Sequence, residues 1–325
     1  MNHIFGPVNS RRLGCSLGID LFSEKVCNLN CVYCEIGVTA RLTCERAEYV
    51  PTEEIIAEID AYCRDGERLD GVDFVTVTAS GEPTLHSGFG AILAHLKEVT
   101  GKPIAVLTNG TTLTDPEVRR ELALADVVIP SLDAALPRSF RRIDRPAACL
   151  DLQKIIDGLV AFSKEYSGKL WLEILFVQGL NDTDEDVAAL LDVIHQMRVD
   201  RIQLNTVARP PLEPFAKLVT ADRLQEIAVM FRAYNDAVPV DLLATGAPVN
   251  KKKNVEQAKT KQHADQESAL LEDILQMLKR RPCTVDDIDR SFQQGGPDKV
   301  KQLLEPLVQS GRVHIRSHGD KLYYQ

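Results

Sequence analysis

From about residue 14 to residue 245, short β-branched runs alternate with longer stretches in which apolar residues recur every three or four positions. That alternation is the signature of βα units and a parallel sheet. It predicts strands over residues 16–22, 73–78, 104–108, 127–132, 170–177 and 201–207, with an extra strand open at 238–243. Helical periodicity falls near 52–64, 87–100, 115–125, 151–166, 183–197 and 220–235. In the fifth of these, Thr183 is placed to cap the amides that Asp186 also favours, and Val187, Leu190, Leu191, Ile194 and Met197 share one face. Right-handed crossovers in such a series curl the sheet, so the expected fold is α/β, a partial (β/α)6 TIM-like barrel over residues 1–245.

Beyond residue 245 the pattern changes. Residues 246–267 hold Lys251-Lys252-Lys253 and many polar side chains, which predicts a linker. From 268 to 325 an apolar face (Leu270, Leu271, Ile274, Leu275, Leu278) precedes a second helix capped by Thr284 and a third opened by Pro297. Val313 and Ile315, a turn at Ser317-His318-Gly319-Asp320, and Leu322 with Tyr324 then predict a hairpin. Three helices and a hairpin make a small C-terminal winged-helix domain the expectation, with Pro306 forcing a kink or an early end in the third helix.

The chain has 325 residues, 44% of them apolar and 26% charged, enough to bury a large core. No apolar run approaches a membrane span, and Met1-Asn2-His3-Ile4-Phe5 lacks the zones of a secretion signal, so a cytoplasmic location without membrane contact is expected. The net charge of −9 is unevenly placed, since residues 1–250 carry 24 basic and 36 acidic side chains while residues 251–325 carry 14 and 11 and are slightly basic. Indiscriminate binding of nucleic acid is thereby excluded for the main part, and a local basic face is not.

Eight cysteines in a chain of this size do not read as a disulfide framework. Cys27, Cys31 and Cys34 stand in C-x-x-x-C-x-x-C spacing, which lets one compact loop aim three soft thiolates at three corners of an iron–sulfur cubane and leaves the fourth iron without a protein ligand. Structural zinc would need a fourth ligand that the segment does not supply. Cys15, Cys63, Cys149 and Cys283 read as buried or incidental thiols, as does Cys44, although Cys15 and Cys44 flank the motif and are candidates for a further metal. Lys25 beside the motif reads as a solvated lysine, and His86 as an ordinary loop histidine.

With the aromatic Tyr33 before its last cysteine, the segment resembles the signature of the radical S-adenosylmethionine superfamily. The resemblance implies a [4Fe–4S] cluster whose open iron is chelated by S-adenosylmethionine, reductive cleavage of that cofactor, hydrogen abstraction by the resulting 5′-deoxyadenosyl radical, and a low-potential electron donor such as flavodoxin or ferredoxin. Ser80-Gly81-Glu82-Pro83 resembles the superfamily's Gly-Gly-Glu motif, which implies that Glu82 and the neighbouring backbone hold the methionyl ammonium. Asn109, Ser131, Asp133 and Asn205 end successive strands with short polar groups, where cofactor contact and turn formation are both open. Glu173, inside a strand, either points outward or needs a partner in the barrel.

Residues 6–14, Ile143-Asp144-Arg145-Pro146 and Ala208-Arg209-Pro210-Pro211 resemble motifs of the wyosine-synthetase-like branch, which implies RNA or tRNA modification. That branch's type member carries three further cysteines upstream of the main motif, whereas here only Cys15 precedes it. Arg11, Arg12, Arg145 and Arg209 are candidates for gripping an anionic substrate with paired hydrogen bonds. The substrate class stays open among RNA, peptide and metabolite. An alternative function is an iron–sulfur sensor whose winged helix binds nucleic acid, and the same module also suits contact with protein.

Overall fold

The computed structural model describes residues 1–243 except 11, 65 and 79, and residues 263–325 except 293; side chains at 66, 67 and 263–269 are not described. Arg11 and most of the expected linker therefore lie outside the described residues. The chain runs β1 (Ile4–Ser10), β2 (Gly14–Ile19), β3 (Val26–Cys27), β4 (Arg41–Leu42), α1 (Thr52–Cys63), β5 (Phe74–Val77), α2 (Phe89–Thr100), β6 (Ile104–Thr108), α3 (Pro116–Leu122) and β7 (Val127–Pro130). It continues through α4 (Pro137–Ile143), α5 (Leu152–Glu165), β8 (Lys169–Phe176), α6 (Asp184–Ile194), β9 (Arg201–Thr206), α7 (Ala221–Tyr234) and β10 (Val240–Leu242). The C-terminal part comprises α8 (His263–Arg280), α9 (Val285–Phe292), α10 (Pro297–Gln309), β11 (Ile315–His318) and β12 (Lys321–Tyr324).

One eight-stranded sheet has the order β1-β2-β5-β6-β7-β8-β9-β10, parallel from β2 onward. Strand β8 shows how it is held, because Leu170, Leu172, Ile174 and Phe176 are fully buried while Trp171, Glu173 and Leu175 point the other way. The first set joins Ile202 and Leu204 of β9 in the large core beneath the helices, and the second faces the concave side. Helix α6 caps as its sequence dictates, with the Asp186 amide donating to Thr183 Oγ1 at 3.2 Å. All six expected barrel strands form, and the extra strand pairs at the β9 edge.

Three elements depart from expectation. Residues 4–10, for which the pattern predicts no strand, form β1, antiparallel to β2 with an irregular register between Phe5 and Val8. Helix α4 was not expected; Pro137 opens it and Phe140 and Ile143 anchor it. Helix α10 continues through Pro306 to Gln309. Pro306 lies in the final turn and the carbonyl it fails to engage belongs to the exposed Gln302, which is open to solvent, so the lost bond costs little and the helix runs on.

Helices α8 to α10 and the hairpin enclose a small core of their own, which Val8 of β1 enters. Polar ties join this part to the barrel: Arg280 Nε lies 3.1 Å from Asp20 Oδ2, Asn9 Nδ2 donates to the Arg290 carbonyl at 2.6 Å, and the Tyr323 hydroxyl donates to the Ala208 carbonyl at 2.8 Å. The Arg280 guanidinium also stacks 4.8 Å from the Phe5 ring centre. The C-terminal part thus covers the edge of the concave face where β1 and β2 leave the barrel open. No described helix is long and apolar enough to cross a membrane.

Candidate active site

The segment from Val26 to Cys34 crosses the mouth of the barrel and is held by backbone bonds to β4, to Gly81 and to the end of α4. Gly81 has φ +134°, and a Cβ there would stand 1.8 Å from the Val26 carbonyl oxygen, so only glycine lets the Glu82 turn and the cysteine strand approach this closely. Cys27, Cys31, Tyr33, Glu82, Asn109 and Asp133 meet around a cavity of 270 Å³, with Ser131 and Glu173 also in its wall.

Glu82 is 1% exposed and takes four donors: the Thr84 amide and hydroxyl, the Thr108 hydroxyl at 2.7 Å and the Asn109 amide at 2.6 Å. Burial pushes its pKa up, and those donors oppose the rise. A ligand cation in the cavity would complete the compensation of this buried charge. Asp133 accepts from the Leu175 amide at 2.8 Å and from the Tyr33 hydroxyl, which fixes the aromatic ring. Burial pushes Asp133 up to about 7. Asn109 donates to Asn28 Oδ1 at 2.8 Å and lies 3.6 Å from Cys27 Sγ.

The thiols sit among donors. Lys25 is buried, with Nζ 3.0 Å from Cys34 Sγ and 2.6 Å from the Gly37 carbonyl, which overturns its reading as a solvated lysine: the carbonyl and sulfur replace water for its ammonium. The Leu29 amide points at Cys27 Sγ at 3.4 Å, and Cys31 Sγ lies 3.5 Å from Asp144 Oδ1. Burial pushes Cys27 up to about 12 and Cys31 well above the usual thiol value. Ionising such thiols requires a compensating cation, which a bound metal centre supplies. Among the described residues no three metal-binding side chains close on a single ion. Three thiols spaced along one loop can each serve a different iron of a cubane.

The other expected residues divide. Ser80 is turned away from the cavity, its hydroxyl and amide donating to Asp20 at 2.7 and 3.0 Å. Glu173 faces the concave side, 2.7 Å from Arg12 Nη1 and 3.1 Å from Asn205 Nδ2, so its outward alternative is set aside. Arg209 faces the C-terminal part, donating to the Pro282 carbonyl at 3.0 Å and lying 3.4 Å from Glu35. Arg145 is not brought to the site; it pairs with Glu213 at 2.5 Å against Phe215, on the outer side of the cysteine loop.

Cys44 is not available for a further metal, because it forms a disulfide with Cys149 that ties the segment after β4 to the loop before α5. Neither is therefore an incidental thiol. Cys15 remains a partly buried thiol with no metal-binding cluster around it among the described residues. His86 is fully buried, its Nε2 2.8 Å from the Val50 carbonyl and its Nδ1 accepting from the Gly88 amide, and so serves the turn after Glu82. Asp20, Asn28 and Asp144 were missed as candidates; each is a lone polar residue whose neighbours become evident only in the fold.

Such a cysteine loop over a mostly parallel partial barrel, with a buried carboxylate at a strand end, defines the class of S-adenosylmethionine-dependent iron–sulfur enzymes. The radical SAM superfamily model matches residues 25–194, and the chain belongs to that superfamily, whose members use a [4Fe–4S] cluster and S-adenosylmethionine. It is 32% identical to a UPF0026 protein of Helicobacter pylori over 99% of this chain and 96% of that one. It is 34% identical to a Brachyspira hyodysenteriae protein named GTPase Obg over 95% of this chain, which spans only 43% of that relative's length. Among solved structures, TYW1 with a lysine-pyruvate adduct bound is similar in fold, with TM-score 0.51 and 20% identity over 70% of this chain and 76% of that one.

Proposed function

We propose that Cys27, Cys31 and Cys34 hold a [4Fe–4S] cluster, that the 270 Å³ cavity beside them receives S-adenosylmethionine, and that the chain abstracts hydrogen from a substrate on the concave face. The observation that carries this reading is the meeting of Cys27 and Cys31 with the buried Glu82 and the Tyr33–Asp133 pair around one cavity. When bound, the cluster and S-adenosylmethionine supply one-electron reduction of a sulfonium and, from it, a 5′-deoxyadenosyl radical.

The residues do the rest. Glu82 accepts the cofactor's ammonium while Thr84, Thr108 and Asn109 keep its carboxylate oriented. Lys25 places positive charge beside Cys34 and stabilises the thiolate. Asp133 fixes Tyr33 over the loop, and the apolar residues around the loop exclude water from the reacting end. Ser131 extends the polar lining toward the substrate, and Asn205 braces Glu173 in the same wall. Flavodoxin or ferredoxin fits as the reductant. A winged-helix reading of residues 268–325 rests on the order of three helices and a hairpin, and modification of RNA rests on the branch motifs alone.

Anaerobic reconstitution followed by addition of dithionite and S-adenosylmethionine tests the proposal. The expected result is formation of 5′-deoxyadenosine that disappears in Cys31→Ala. Persistence of cleavage in that variant overturns the site.

A further inference from the structure

A second cavity, of 440 Å³, lies between the concave face and the C-terminal part. Ile36, Thr78 and Leu107 belong to its wall and also to the wall of the cysteine-lined cavity, so the two spaces adjoin. Five arginines line it and four are already engaged by a carboxylate: Arg12 with Glu173 at 2.7 Å, Arg280 with Asp20 at 3.1 Å, Arg209 with Glu35 at 3.4 Å and Arg290 with Asp287 at 2.7 Å.

Arg281 is different. It follows α8, lines the same cavity, and its Nε is buried with no hydrogen-bond partner; its Nη2 meets only Met277 Sδ, at 4.0 Å. A guanidinium carries five donors, and the half-buried Arg281 has donors left for an anion. Lys321, exposed at the rim, also has no carboxylate partner among the described residues, and among those residues the one acid of the wall without an ion pair is the exposed Asp286. The excess of uncommitted charge is positive and comes from the C-terminal part.

We infer that this chamber is the substrate site, and that Arg281, assisted by Lys321, grips a phosphate or carboxylate group of a small-molecule substrate. The inference rests on the radical-enzyme reading and deepens it. A volume of 440 Å³ matches a metabolite-sized ligand. An oxyanion held at the outer wall directs the remainder of the molecule past Thr78 and Leu107 toward the cysteine-lined cavity, where the hydrogen is taken. The C-terminal part is then a wall of the active site.

Inorganic pyrophosphate titrated calorimetrically into the full-length, anaerobically reconstituted protein tests this. Saturable binding is expected, weakened about tenfold or more in Arg281→Gln, as for loss of a charge-assisted hydrogen bond, and largely retained in Arg281→Lys. Lys299→Gln, which removes an exposed like charge from α10 away from the chamber, should leave the affinity within about twofold. Absence of saturable binding, or equal weakening by Lys299→Gln, overturns the inference. If either occurs while 5′-deoxyadenosine still forms, the chamber assignment fails and the radical-enzyme reading stands.

Discussion

Around Glu82 the polar atoms are committed: four donors converge on one carboxylate, Asp133 is taken by Tyr33 and Leu175, and Asn109 spans Asn28 and Thr111. Around Arg281 the Arg280–Asp20 ion pair joins the barrel to the C-terminal part, and the Nε of Arg281 is left without an acceptor among the described residues. The first region is rigid before anything binds, as precise positioning of a reactive cofactor demands. The second keeps binding capacity in reserve.

Asp20 joins the two regions, since it accepts from Ser80 of the Glu82 turn and from Arg280 of α8. Both members of its ion pair are buried, with side chains 2% and 10% exposed. Asp20→Ala should therefore cost about 3–5 kcal/mol in denaturant unfolding, because Arg280 keeps only the neutral acceptors of Gln276 and Asn2 and Ser80 loses both of its bonds to Asp20. A loss below about 1 kcal/mol would break the claim that the regions are mechanically joined here.

Disrupting the disulfide probes the saturated side alone. It closes a separation of 105 residues, and Cys149→Ser should lower stability by about 2–4 kcal/mol. Pyrophosphate affinity in the other chamber should stay unchanged; a parallel fall would show that the regions are not separable.

Thr108→Val removes one of the four donors to Glu82 and should destabilise by about 1.5–3 kcal/mol, as for a hydrogen bond to a charged group. Weaker S-adenosylmethionine binding in equilibrium dialysis should accompany it. An unaltered variant would mean that the carboxylate is less constrained than its geometry implies.

The smallest effect concerns His86, whose pKa is lowered, first by burial. Its Nδ1 accepts the Gly88 amide and must stay unprotonated. Below the unfolded-state value of about 6.5 the unfolded chain binds a proton that the folded chain refuses, so this contribution is present above that pH and is lost as pH falls. His86→Gln should flatten the slope of stability against pH below about 6.5, and an unchanged slope would remove His86 from the support of the Glu82 turn.

Much of this was legible in the sequence. The six barrel strands follow from β-branched runs, and the C-x-x-x-C-x-x-C segment and the Ser80–Pro83 turn are short contiguous motifs that a sequence displays directly. Strand β1 was hidden by Gly6-Pro7, a pair that normally punctuates strands. Lys25 was misread because its burial comes from the Gly37 carbonyl and the Cys34 sulfur, neither of which spacing reveals. Cys44 and Cys149 stand 105 residues apart, and cysteine connectivity cannot be deduced from sequence alone. The chamber around Arg281 required the C-terminal part to be placed against β1 and β2, a long-range event with no local signature.

The central claim is that three thiols leave one iron open for S-adenosylmethionine, and it is tested most directly by Mössbauer and electron paramagnetic resonance spectra of the anaerobically reconstituted protein with and without that cofactor. The account predicts a [4Fe–4S] signal that is lost in Cys27→Ala, Cys31→Ala and Cys34→Ala and that changes on cofactor addition as one iron gains new ligands. A zinc-filled site, or a cluster spectrum indifferent to S-adenosylmethionine, would contradict it.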